Sequence, residues 1–231
     1  MRNILLSSVL VLLFFDGRGQ SCNPYFLIQE GIKSTYELYN AKNKLVSKNI
    51  NEFKNVSGSG SQLNATLLSQ VVDLKKGTVS GSSESDWTCS DGIVRFTMNA
   101  MTLEGIDMNT SGIEVKVEGD LMDIPPSLRA GQTLQDVTYR VKLSLSGMNM
   151  MDRTFLIKNR KVEGKESITT PAGTFDCYKV SYVTESTGKA GNISKPVQTS
   201  IWYSSATGMI KTEHYKEGKV SSLQLLTKIE K

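Results

Sequence analysis

Alternation with a period of two runs through most of this chain. Val137, Tyr139, Val141, Leu143 and Leu145 alternate with Asp136, Thr138, Arg140, Lys142 and Ser144, the pattern of a strand with one face buried and one in water. Ile113, Val115 and Val117 stand against Glu114, Lys116 and Glu118 in the same way, and Val197, Thr199, Ile201 and Tyr203 form another run. No segment sustains a long helical period. The pattern predicts an all-β protein with little helix, its ten to twelve antiparallel strands forming one strongly curved sheet. Such a sheet is expected to close into a β-roll or partly closed barrel, because curling protects edges that would otherwise aggregate.

Turn chemistry divides the runs. Residues 40–44, Lys75-Lys76-Gly77, Ser90-Asp91-Gly92 and residues 215–220 carry the Asn, Asp and Gly of hairpin turns. Thr170-Pro171-Ala172-Gly173 is a tight turn, with proline presetting one dihedral and glycine freeing another, and Gly208 permits a further one. Ser57-Gly58-Ser59-Gly60-Ser61 joins two strands more simply as a hairpin loop than as a linker. Residues 99–112 are expected to hold a short helical turn or a loop covering a sheet edge. Pro125 and Pro126 lack ladder donors, so residues 123–131 mark the boundary between two halves, through which one sheet can still run.

The start of the chain changes the picture. Arg2 precedes the apolar runs Ile4-Leu5-Leu6 and Val9-Leu10-Val11-Leu12-Leu13-Phe14-Phe15, and small residues follow near position 20. This reads as an export signal over residues 1–20, too short to span a bilayer. Residues 21–231 then form a single β-rich domain working in the periplasm or cell envelope, or secreted. Removing Arg2, Arg18 and Asp16 with the leader leaves 25 basic and 22 acidic residues. So mild a balance, without a basic stripe or aromatic platform, gives no reason to expect a nucleic-acid partner.

Three cysteines remain, Cys22, Cys89 and Cys177. An odd count in an oxidising compartment permits one internal pair at most. Cys22–Cys89 would staple the start of the mature chain to its body, and Cys89–Cys177 would bridge two strands. The first is favoured because both partners lie beside turn residues, leaving Cys177 as a small buried hydrophobe. Gly19 stands where a lipid-attachment signal before Cys22 wants an apolar residue, which favours a soluble exported protein over an anchored one.

Reactive chemistry finds little support. His214 is the sole histidine and no Gly-x-Ser-x-Gly elbow accompanies it, so a Ser-His-Asp triad and histidine-based zinc or haem sites are not expected. No acidic loop has calcium spacing. Met148, Met150 and Met151 offer soft thioethers for copper(I), but without histidine nearby they read as filler of a core or cavity. Asp86 and Asp91 lie around a turn and read as surface rather than as a glycosidase pair. No catalytic residue, metal or cofactor is nominated. The aromatic residues are more suggestive: Tyr178, Trp202 and Tyr203 are the candidates to line a concave face for an amphiphilic ligand.

The segment Glu163-Gly164-Lys165-Glu166-Ser167-Ile168-Thr169-Thr170-Pro171-Ala172-Gly173-Thr174-Phe175-Asp176-Cys177-Tyr178-Lys179-Val180, with Trp202-Tyr203 and Gly208-Met209-Ile210-Lys211-Thr212-Glu213, resembles the exported TapB-like proteins, related to a domain family of unknown function common in Bacteroidetes. Cys22-Asn23-Pro24-Tyr25-Phe26 and Gly131-Gln132-Thr133-Leu134 are similar to it as well. The resemblance implies a rolled or half-barrel β fold and supplies no catalytic residues. The expected role is non-enzymatic: binding an amphiphile such as a lipid, or an envelope protein. A structural or adhesion-like protein with a filled core, and an envelope-polymer hydrolase, are the alternatives. Oligomeric state is not legible.

Overall fold

The computed structural model describes residues 22–97, 113–188 and 193–231; the leader and the 99–112 segment lie outside them. Strands β1 (Lys33–Asn40), β2 (Leu45–Ser59), β3 (Gln62–Val72), β4 (Val79–Ser90) and β5 (Ile93–Phe96) form one meander. β6 (Ile113–Gly119) and β7 (Met122–Ile124) follow. A second meander contains β8 (Val137–Leu145), β9 (Met148–Thr170), β10 (Gly173–Gly188), β11 (Val197–Ser204), β12 (Gly208–Lys216) and β13 (Lys219–Glu230). The described residues form thirteen strands, more than the ten to twelve expected. The shortest, β7, has three residues, too few to display alternation.

All thirteen belong to a single antiparallel sheet in the order β6-β8-β9-β10-β11-β12-β13-β1-β2-β3-β4-β5-β7, with no helix among the described residues. β13 beside β1 joins the two meanders, with Tyr36 opposite Leu226. The sheet's two edges, β6 and β7, are consecutive in the chain with only Asp120 and Leu121 between them. Three Cα–Cα steps reach about 11 Å at most, so the edges must come together at that end. This connection curls the sheet into a half-barrel without pairing its edges.

The turns follow their chemistry. Glu217 and Gly218 both have positive φ, 53° and 75°, the two-residue turn that suits the twist of a hairpin. Gly58 is required by space: a Cβ there would sit 2.3 Å from the Gln62 carbonyl oxygen. The Ser/Gly stretch around it is thus a hairpin end between β2 and β3.

The concave side is filled. Residues 22–32 thread into it as a strap, burying Tyr25, Phe26 and Ile28 among Trp87, Val94, Ile124, Leu128, Leu134 and Tyr203. Phe26 meets Trp87, Phe96 and Tyr203 edge-on at ring separations of 5.2, 6.4 and 5.6 Å, a favoured aromatic geometry. Asn23 is fully buried and pins the strap: its amide donates to the carbonyls of Gly92 (2.6 Å) and Ile124 (3.0 Å). Its side-chain oxygen accepts from the Tyr25 amide at 2.8 Å. A disulfide between Cys22 and Cys89, with 6.1 Å between the Cα atoms, fastens the start of the strap to β4. Cys177 is free and buried.

A charged latch crosses the fold. Arg160 of β9 is wholly buried yet reaches β7, donating to the Asp123 carboxylate (2.6 Å), the Asp123 carbonyl (2.5 Å) and the Gln135 carbonyl (2.6 Å). Its position results from a break in alternation. On β9 the buried residues run Ile157, Arg160, Val162, and Asn159 with φ 57° inserts the extra step of a bulge opposite β10. Bulges re-aim side chains in this way.

The methionine run departs from expectation. Met148 and Met150 are 65% and 59% exposed at the β8–β9 hairpin tip, and only Met151 packs against the core. The Ser146-Gly147 turn carries the first two beyond the buried layer, while the register slips by one residue between Leu143 and Ser144 of β8.

Candidate functional site

The three aromatic residues expected to line one surface lie on two. Tyr178 of β10 and Tyr203 of β11 are directly opposed in the register and face the filled interior, where Tyr203 is buried and Tyr178 packs at the margin against Tyr25, 6.0 Å between rings. Trp202, one residue before Tyr203, points the other way, as successive strand residues must. It is 2% exposed and belongs to a second cluster with Tyr36, Cys177, Ile210 and Leu226.

Around Trp202 the outer face of four strands builds a polar array. Register places Lys179 and Ser181 of β10 beside Trp202 and Ser200 of β11. Those residues of β11, with Gln198, stand against Lys211, Glu213 and Tyr215 of β12. Ser181 and Ser200 are short side chains inside a ring of long ones. The result is a depression of about 400 Å³ floored by the serines and rimmed by Glu163, Lys179, Gln198, Tyr215 and Gly218. A second β9 bulge delivers Glu163: Lys179 pairs with Gly164 and Val180 with Val162, leaving Glu163 as the additional residue.

The array is internally neutralised. Trp202 donates its indole N–H to Glu166 at 2.6 Å, while the ammonium groups of Lys211 and Lys179 lie 4.4 and 5.0 Å from its ring, a favourable cation–π placement. Ser181 donates to Glu163 at 2.5 Å. That bond, with the charges of Lys161 and Lys179, outweighs partial burial and holds the Glu163 carboxyl below its ordinary range. Burial would raise Glu213, but hydrogen bonds from Lys211 and Tyr215 and the charge of Lys179 keep it low as well. Burial, then the adjacent Glu213, pushes the Tyr215 phenol up to about 12. Glu163 on the rim and Glu213 behind Tyr215 are therefore both ionised at neutral pH. Glycoside hydrolysis needs one carboxyl raised to act as acid, and this pair is tuned the opposite way.

The other candidates fall elsewhere. His214 is half-buried with Nδ1 2.9 Å from the Thr199 hydroxyl, and Asp86 and Asp91 are exposed. Among the described residues no group of three or more His, Cys, Asp or Glu side chains could hold a metal ion. Lys179, Ser181, Ser200 and Glu163 escaped the sequence reading because their proximity depends on register across four strands. A lone glutamate before Gly164 gives no sign of a bulge.

Fold and site together define a half-barrel β protein with a plugged interior and a polar depression on its outside. The chain belongs to the DUF3108-like family, whose pattern matches residues 29–226. No curated protein matches it. Two crystal structures share the fold, each with a TM-score of 0.74, covering 91% of this chain and all of theirs. One is an exported-protein candidate with a YmcC-like fold from Bacteroides fragilis NCTC 9343, 24% identical. The other, a lipoprotein candidate from Parabacteroides distasonis ATCC 8503, is 25% identical. Their descriptions agree with an envelope location; the narrower TapB-like resemblance rests on the sequence motifs alone.

Proposed function

We propose that this chain is a non-catalytic exported protein that contacts an envelope component through its outer surface. The observation that carries this reading is the filled concave side: the strap occupies the space an amphiphile would need, with Phe26 against three other aromatic rings. The ionised Glu163 and Glu213 support a binding role over hydrolysis. Cys22 is bonded to Cys89, and a sulfur in a disulfide cannot carry a thioether-linked lipid. The reading therefore extends to a free exported protein, unlike its lipoprotein-candidate neighbour. Native mass spectrometry of protein recovered from its own envelope tests this. The expected mass is that of the disulfide-bonded polypeptide without a lipid-sized addition. A lipid, covalent or retained in stoichiometric amount, would overturn it.

A further inference from the structure

We propose that the depression floored by Ser181 and Ser200 binds a neutral polyhydroxylated ligand, a segment of an envelope glycan. The inference rests on the outer-surface reading above and names the ligand chemistry. Three observations carry it. First, the depression is concave and within the size range of ligand sites, about 400 Å³. Second, its rim mixes acceptors and donors at close quarters: Glu163 and Tyr215 stand on either side, with Lys179 and Gln198 between. Vicinal hydroxyls, each both donor and acceptor, satisfy such a mixture better than a group of one kind does. Third, the charged lining residues Lys179 and Glu163 offset each other, and Lys211 and Glu213 pair with one another outside the lining. An ionic ligand would face a like charge beside every opposite one, whereas a neutral ligand meets no such penalty.

The walls are preorganised. Ser181 is held by Glu163 and Tyr215 by Glu213. Trp202 is buried beneath the lysines and offers no open ring for sugar stacking. Recognition is therefore by hydrogen bonds, which predicts modest affinity and gain through repetition along a polymer.

Isotope-labelled mature protein titrated with maltohexaose, mannohexaose and N-acetylchitohexaose, read by amide chemical shifts, tests the assignment. At least one hexasaccharide is expected to give saturable shifts centred on Ser181, Ser200 and Gly218. Lys179→Ala and Ser181→Gln should each weaken binding by about tenfold or more, and Lys76→Gln, in the β3–β4 turn, should not. If Ser181→Gln fails to fold, the half-buried Lys179 variant decides. Absence of saturable shifts with all three sugars, shifts centred elsewhere, or affinity unmoved by the groove variants overturns the assignment. These results are independent of the mass measurement: a retained lipid sinks the outer-surface reading whether or not the sugars bind.

Discussion

Arg160 offers the sharpest test of how the half-barrel is held shut. Its guanidinium is fully buried, while the Asp123 carboxylate is 30% exposed. Replacing Arg160 with Met leaves the carbonyls of Asp123 and Gln135 without their donor. At roughly 1–3 kcal/mol for each buried group left unsatisfied, and with Asp123 able to rehydrate, the expected loss is about 3 kcal/mol. Asp123→Ala strands a buried cation that keeps two carbonyl partners, so its cost should lie at the lower end of the 3–5 kcal/mol typical of a broken buried pair, again about 3 kcal/mol. In the double variant no charge is stranded, and about 4 kcal/mol should be lost. The coupling energy is then about 2 kcal/mol. Urea denaturation with the disulfide intact measures all four corners, given an unchanged m-value. Hydrogen exchange supplies the location: the Leu134 amide, bonded to the Arg160 carbonyl at 2.8 Å, should lose protection in either single variant. Additive losses, with coupling below about 0.5 kcal/mol, would refute the latch.

Two further outcomes follow from the charged and sulfur groups. Burial, reinforced by Asp176 and Glu166, pushes the Cys177 thiol up to about 11, so a thiol reagent at pH 8 should find no reactive group in the native protein. It should find one after unfolding without reductant; rapid native labelling, or three thiols on unfolding, contradicts the assignment. Glu118 is lowered to about 2 by hydrogen bonds from Lys116 and Lys142. Its folded value lies below the unfolded one, so its contribution to stability is present above pH 4.5 and lost as pH falls toward about 2. Glu118→Gln should remove that part of the acid dependence, most visibly at low salt. A stability gap between the two proteins that widens on acidification would show the sign to be wrong.

The sheet was largely legible in the sequence because a half-buried strand writes its geometry into every second residue. Val137 to Leu145 is such a case: the inward residues from Val137 to Leu143 are buried, and the intervening ones lie on the other face. β11 reads differently. Thr199 through Ser204 are buried on both faces, so alternation there identified a strand without revealing that Trp202 had its own cluster. Arg160 was illegible for a related reason. A bulge shifts the period by one residue, and a lone arginine in a long strand looks like an outward charge until the register shows otherwise. The strap was hidden because residues 22–32 form no strand of their own. Their apolar side chains gain burial only when the whole sheet curls around them.

That curling also limits what the interior can hold. Withdrawing the strap would return Tyr25, Phe26 and Ile28 to water. At about 1.5–3 kcal/mol for a fully buried large apolar side chain, these three alone oppose opening by roughly 4.5–9 kcal/mol, before the Asn23 hydrogen bonds are counted. An opening cost of about 4 kcal/mol already leaves less than one molecule in several hundred open. A ligand that required the open form would lose apparent affinity by the same factor. It would also have to enter while the Cys22–Cys89 bond keeps the strap's first residue tethered to β4. The site proposed on the outer face would carry neither penalty, since its serine floor and charged rim stand open without any movement of the strap. An interior ligand would have to supply the whole opening cost from its own contacts, which is the energetic ground for proposing the outer face instead.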